Sequence, residues 1–147
     1  MPALLDRLAA ALTAARKAQE KALTLLWGTI LADIRNREIE LKRALTDDDV
    51  VEVLRKGVKK RRESVAAYEQ AGRTELAAQE AAEVVALEGY LPAMAGEDEV
   101  REAVRAVLAG GVAGVGPVMA AVMPRFKGRA DGGMINRVVR EELGKSE

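Results

Sequence analysis

The sequence predicts an all-α protein: an N-terminal helical bundle followed by a small C-terminal three-helix tail module. Three observations predict it. Alanine, leucine, valine, glutamate and arginine dominate the 147 residues, and that composition favours helix over strand. Apolar residues return at helical spacing along nearly the whole chain. Most of the later stretches between carry glycine, proline or a capping cluster, the residues that end and begin helices. The valine-bearing stretch 112–115 is too short and too broken by glycine to count as a strand. No heptad register is long enough for a coiled coil, and no solenoid repeat is present.

Residues 3–19 read as a first helix, with Leu4, Leu5, Leu8, Leu12 and Ala15 on one face and Arg7, Arg16 and Lys17 opposite. Residues 20–43 read as a second, with Leu23, Leu26, Trp27, Ile30, Leu31 and Ile34 on one side. Trp27, the largest apolar side chain, is expected to anchor the core there. Thr46 before Asp47, Asp48 and Asp49 is a helix start: a capping hydroxyl, then acids where the helix dipole favours them. This third helix runs to about Ala71, where Gly72 offers a left-handed stop. Its apolar line is Val51, Leu54, Val58, Val65 and Tyr68. Arg61 falls on the same line, so it must lead its head out to water or pair with an acid from a neighbour.

Residues 74–89 form a fourth helix, with Leu76, Val84 and Leu87 inward and Glu75, Glu80, Glu83 and Glu88 mostly outward. Tyr90-Leu91-Pro92 and the segment up to Gly96 then precede fresh acids at 97–99, the best boundary in the chain. The expected division is therefore 1–92 and 93–147. A fifth helix spans about 97–109, with Val100, Val104, Val107 and Leu108 inward, and is stopped by Gly110 and Gly111. Pro117 suits the first turn of a sixth, short helix carrying Val118, Met119, Val122 and Met123, whose length Pro124 limits. After a basic loop of Arg125, Lys127 and Arg129, Asp131 is placed to cap a last helix. Its apolar side is Ile135, Val138, Val139 and Leu143, and its outer side Asn136, Arg137 and Arg140.

The composition excludes much chemistry. There is no cysteine and no histidine, which removes disulfides, thiolate chemistry, the usual zinc sites and Ser-His-Asp or Cys-His catalysis. The glycines at 110, 111, 114 and 116 lack the preceding strand and the following Lys-Ser/Thr of a phosphate loop. Asp47, Asp48 and Asp49 are consecutive on a helix and do not converge on an ion. The carboxylate pairs at 97–99 and 141–142 sit at helix ends and are expected to be dipole features. No catalytic residue, cofactor or metal is expected. No apolar run approaches membrane-spanning length and no secretory leader pattern is present, so a cytoplasmic protein without a membrane partner is expected.

The formal net charge is zero, so any preference for nucleic acid must come from local patches. No acid interrupts residues 55–62, and Lys56, Lys59 and Lys60 point away from the apolar line of their helix. This is either a phosphate-tracking surface or a solvated face with i,i+4 partners such as Glu52–Lys56 and Lys59–Glu63. The loop 127–133 combines cations with a helix N-terminus and two glycines, which suits an anion, although Asp131 would itself occupy the free N–H groups.

The series GPVMAAVMPRFKGRADGGMINRVV, together with KKRRES at 59–64, YEQAGR at 68–73 and Tyr90-Leu91-Pro92, resembles the YqeY family over nearly the whole chain. Its closing module is similar to the tail domain of the B subunit of the tRNA-dependent amidotransferase, the GatB/YqeY grouping. Pro117 departs from that pattern, in which a basic residue is common. In the amidotransferase the similar tail contacts tRNA while catalysis lies elsewhere. The resemblance therefore implies a non-catalytic, RNA-binding and tRNA-associated adaptor. The residues expected to contact RNA are Lys127, Arg129, Asn136, Arg137 and Arg140, extended by Lys56, Lys59 and Lys60. Two alternatives are a protein–protein adaptor that docks on an amidotransferase or other translation-related protein, and an accessory of glutamine-dependent tRNA amidation, as the family name implies.

Overall fold

The structure is a computed structural model that describes residues 2–146. It is all-α, with seven α-helices and no strand among the described residues. The chain forms two compact units, Met1–Leu91 and Pro92–Glu147.

The amino-terminal unit contains α1 (Ala3–Lys17), α2 (Lys21–Leu41), α3 (Asp47–Gln70) and α4 (Thr74–Glu88). Helix α3 packs along α4, α1 along α2, and α3 also touches α1 and α2. Most of the core was expected: Leu4, Leu8, Leu26, Trp27, Ile30, Ile34, Val51, Leu54 and Val58 are buried, with Val84 and Leu87 from α4. Leu5, Leu12, Leu23 and Leu31 are only partly buried, and Val50, outside the expected apolar line, is fully buried. Trp27 packs edge-on against the Tyr90 ring, with centroids 5.0 Å apart. Val65 and Tyr68 are only half-buried, because the outer half of α3 extends past the core.

Two features of this unit reach beyond the sequence expectation. Thr46 caps α3 as expected, accepting a bond from the Asp49 N–H, but the Asp49 carboxylate also returns to the Thr46 N–H at 2.9 Å to complete a capping box. Two residues before Asp49, Asp47 Oδ1 accepts the Leu4 N–H of α1 at 3.0 Å, so the start of α3 also caps α1, which has no side-chain cap of its own. Helix α2 ends two residues before expected, where Lys42 takes a left-handed conformation with φ 53°. Replacing Thr46 with alanine is expected to cost about 1 kcal/mol, the usual value of a lost hydroxyl cap, readable as a shift of the urea midpoint at unchanged slope.

The carboxy-terminal unit contains α5 (Glu97–Ala109), α6 (Val115–Val122), a 3-10 turn (Met123–Phe126) and α7 (Gly132–Ser146). Each of the three helices packs on the other two. Val100, Val104, Val118, Val122, Ile135, Val138 and Val139 form the core with Phe126. Helix α6 begins two residues before Pro117, and Pro124 converts its end into the 3-10 turn rather than stopping the chain outright. Asp131 accepts the Gly133 N–H at 3.2 Å, the expected cap of α7. Gly128 has φ +74°, a left-handed conformation that reverses the chain ahead of α7.

Candidate nucleic-acid interface

Each unit carries equal numbers of acidic and basic residues, so its surface potential depends on which cations are paired. Part of the basic run of α3 is answered by α4. The Arg61 Nε donates to Glu83 at 2.7 Å, and one of its terminal nitrogens donates to the Gly57 carbonyl at 3.1 Å. This is the acid partner that an arginine on an apolar line requires. Arg62 pairs with Glu88 at 2.5 Å, and Lys56 lies 3.7 Å from Glu52. Lys59 and Lys60 are exposed and form no ion pair among the described residues, and the expected Lys59–Glu63 pair is not made. Lys56 and Lys60 line a cleft shared with several carboxylates, whereas Lys59 does not.

In the carboxy-terminal unit the cations divide into two groups. The first is bound within the fold. Arg129 donates to both oxygens of Glu99 at 3.0 and 3.2 Å and to the Ala93 carbonyl at 3.2 Å, and its guanidinium lies 5.9 Å from the Phe126 ring centre. Its own carbonyl accepts the Ala95 N–H at 2.8 Å. Arg129 thus fastens the segment before α5 to the loop before α7. Arg137 donates to Glu97 at 2.6 Å and to Glu141 at 3.0 Å, and the Glu97 bond is the main reason its pKa is raised.

Behind Arg137 lies a network that sequence reasoning missed. Glu142 is buried, 5 % exposed. It accepts from Arg101 at 2.7 Å, from Arg105 Nε at 3.0 Å and from Lys145 at 3.2 Å. These donors, Arg105 first and Arg101 next, hold its pKa down to about 2. Arg101 also reaches Glu97 and Glu141. The Glu141/Glu142 pair is therefore not a dipole feature. Carboxylates in the last turns of a helix oppose its dipole, and here the arginines of α5 hold them. The available signal was the register: Ile135, Val138, Val139 and Glu142 share one helical face, and Arg101 and Arg105 stand four residues apart on another helix.

The second group keeps its charge. Arg125 and Lys127 are exposed and have no ion-pair partner among the described residues. Arg140 is exposed, and its Nε donates to the Asn136 side-chain oxygen at 2.9 Å. That partner is a neutral amide, so it orients the guanidinium without cancelling it. Asn136 and Arg140 lie on the edge of α7 away from the buried face, whereas Arg137 turns to the acids of α5.

Residues 5–143 match the family described as Yqey-like protein. The chain belongs to the YqeY-like family. It is also 31% identical, over 96% of its length and 81% of the relative's, to "Altered inheritance of mitochondria protein 41, mitochondrial" from Pyrenophora tritici-repentis (strain Pt-1C-BFP). The family match spans both units, so the α3 run and the series ending in Asn136 and Arg140 both lie inside it. Among the described residues, no helix is long and apolar enough to cross a membrane, and no group of three or more acidic side chains is placed to hold a metal ion.

Proposed function

We propose that this YqeY-like protein is a non-catalytic adaptor that binds RNA of the tRNA class through its carboxy-terminal unit. The observation behind the reading is Arg140: an exposed guanidinium held by an amide and by no carboxylate among the described residues. Arg125 and Lys127 add two cations that are free of ion pairs among the described residues. Arg129 and Arg137, engaged with Glu99, Glu97 and Glu141, shape the unit and take a smaller share of the contact. Lys59 and Lys60 of α3 are two further cations without an ion pair among the described residues, carried by the other unit. The likeness of this tail to the tail of the amidotransferase B subunit supports the same reading. The cytoplasmic location is part of this proposal; the mitochondrial label belongs to the fungal relative's name.

The test is a titration of bulk tRNA at low and moderate salt. Three phosphate contacts give a log–log salt slope of about −2 to −3. Reversing Lys127 and Arg140 to glutamate is expected to abolish binding with the helical circular dichroism signal unchanged. No binding by the wild type at low salt, or full binding by the double variant, would refute the proposal. The second reading is a protein–protein adaptor that docks on an amidotransferase or another translation-related protein. It is favoured by the exposed Met94 and Met123, adaptable side chains common at docking surfaces. Recovery of a protein partner without RNA would support it.

A further inference from the structure

We propose that the amino-terminal unit pairs with a second copy of this chain through the outer face of α2, the two helices running antiparallel about a two-fold axis at Ala32. Helix α2 buries Leu26, Trp27, Ile30 and Ile34. Its opposite side is apolar as well. Leu25 is 72% exposed and Ile39 66%, and Ala32 between them is exposed. These three stand at intervals of two helical turns, so they form one line, and Gly28 lies on the same face. A single exposed leucine is ordinary on a protein surface; two large apolar side chains aligned on one helix face make a strip that water covers poorly.

The two ends of this face differ in shape and in charge. The amino-terminal end is a groove lined by Leu25, Gly28, Thr29 and Ala32, with Arg16 and Lys21 at its rim. Gly28 hollows it: a Cβ placed there meets nothing within 4 Å. Gly28 is not among the residues with positive φ, so neither its backbone nor a close neighbour within the chain requires glycine, and a glycine inside a helix weakens it. The carboxy-terminal end is a knob: Ile39, flanked in sequence by the exposed Glu38 and Glu40. Glu40 is shared with Arg37 at 3.0 Å. Glu38, Arg16 and Lys21 form no ion pair among the described residues.

A groove with a cationic rim and a knob with acidic flanks on one helix are self-complementary. An antiparallel second copy brings each Ile39 to the other's groove and Glu38 and Glu40 to the rim of Arg16 and Lys21. The same contact forms twice, and the pair closes on itself as two-fold dimers do. At the axis Ala32 meets its own counterpart, and a small side chain there lets the helices approach closely. A parallel copy would set groove against groove and knob against knob. One helix face per copy is a small interface, so pairing is expected near about 0.1 mM. The face uses none of the residues of the RNA reading and stands apart from it.

The test is sedimentation of the full chain from about 0.01 to 1 mM, across which the wild type is expected to pass from monomer toward dimer. Gly28→Leu fills the groove and Ile39→Ser removes the knob. Neither touches the core, and each is expected to weaken pairing at least about tenfold with the helical circular dichroism signal retained. The chain contains no cysteine, so a single introduced thiol reports on its own position. Under a mild oxidant, Ala32→Cys is expected to form the copy-to-copy disulfide at least about tenfold faster than Ala78→Cys, because only at the axis do two copies of one position come within bonding reach. Ala78 is exposed on α4 and serves as the collision control. A wild type that stays monomeric throughout, pairing undiminished in Gly28→Leu or Ile39→Ser, or cross-linking of Ala32→Cys no faster than that of Ala78→Cys would overturn the proposal.

Discussion

Replacing Glu142 with glutamine is expected to lower the melting temperature of the carboxy-terminal unit by more than about 10 °C. Glu142 is the buried carboxylate on which Arg101, Arg105 and Lys145 converge. Glutamine keeps the volume but removes the charge, so three cations lose their common partner, and the side chain of Arg101 is itself only 18% exposed. Breaking one side of a buried pair costs far more than the pair is worth against an apolar replacement. The same site sets the acid limit of the unit. The pKa of Glu142 is lowered from 4.5 to about 2 on folding. Its stabilisation is therefore complete above pH 4.5 and is lost as pH falls toward about 2. Glu97 and Glu141, also shifted down by their arginine bonds, act in the same direction. Thermal melts of the wild type should fall across that window, and those of Glu142→Gln should fall less steeply. A pH-independent melting temperature, or a variant as stable as the wild type, would show that the network is ornamental.

Asp49→Ala is expected to cost the amino-terminal unit about 2–4 kcal/mol, more than the loss of Thr46. Asp49 is 3% exposed. It takes two bonds from Arg43, at 2.7 and 3.0 Å, and one from the Thr46 N–H. Alanine removes the return arm of the capping box and the acceptor of a bidentate arginine pair together. The Arg43 bond is the main reason the carboxyl lies well below the usual carboxylate range, followed by the Thr46 N–H. This stabilisation is complete above the ordinary value of 3.8 and is lost as pH falls below it. Asp49→Asn keeps an acceptor for Thr46 and should lie between the wild type and alanine. Urea unfolding of the three proteins at neutral pH measures the series. A cost no larger than that of Thr46→Ala would remove the Arg43 pair from the explanation.

The local punctuation of this chain was legible. Thr46 before three aspartates, Gly72, and the acids at 97–99 are local signals, and the helices begin or end at them. The buried faces followed from spacing alone, as with Leu4 and Leu8 or Ile135, Val138 and Val139. The end of α2 was less legible, because a lysine in a left-handed conformation carries little sequence signal. The candidate interface was half legible for a physical reason. Cations are visible one residue at a time, but the acids that neutralise Arg129 and Arg137 lie thirty and forty residues away, at Glu99 and Glu97. Periodicity holds no record of such pairings. The exception is Arg140, whose oriented, uncancelled state comes from Asn136 on its own helix, four residues before it.

The most direct measurement compares Arg140→Gln with Arg137→Gln in one tRNA titration at low salt. Arg140→Gln is expected to weaken binding about tenfold with the melting temperature unchanged, because it removes a free cation. Arg137→Gln is expected to lower the melting temperature modestly and leave most of the affinity, because its charge is already answered by Glu97 and Glu141. Equal losses of affinity in the two variants, or a loss confined to Arg137→Gln, would contradict the view that ion pairing within the fold decides which cations reach the RNA.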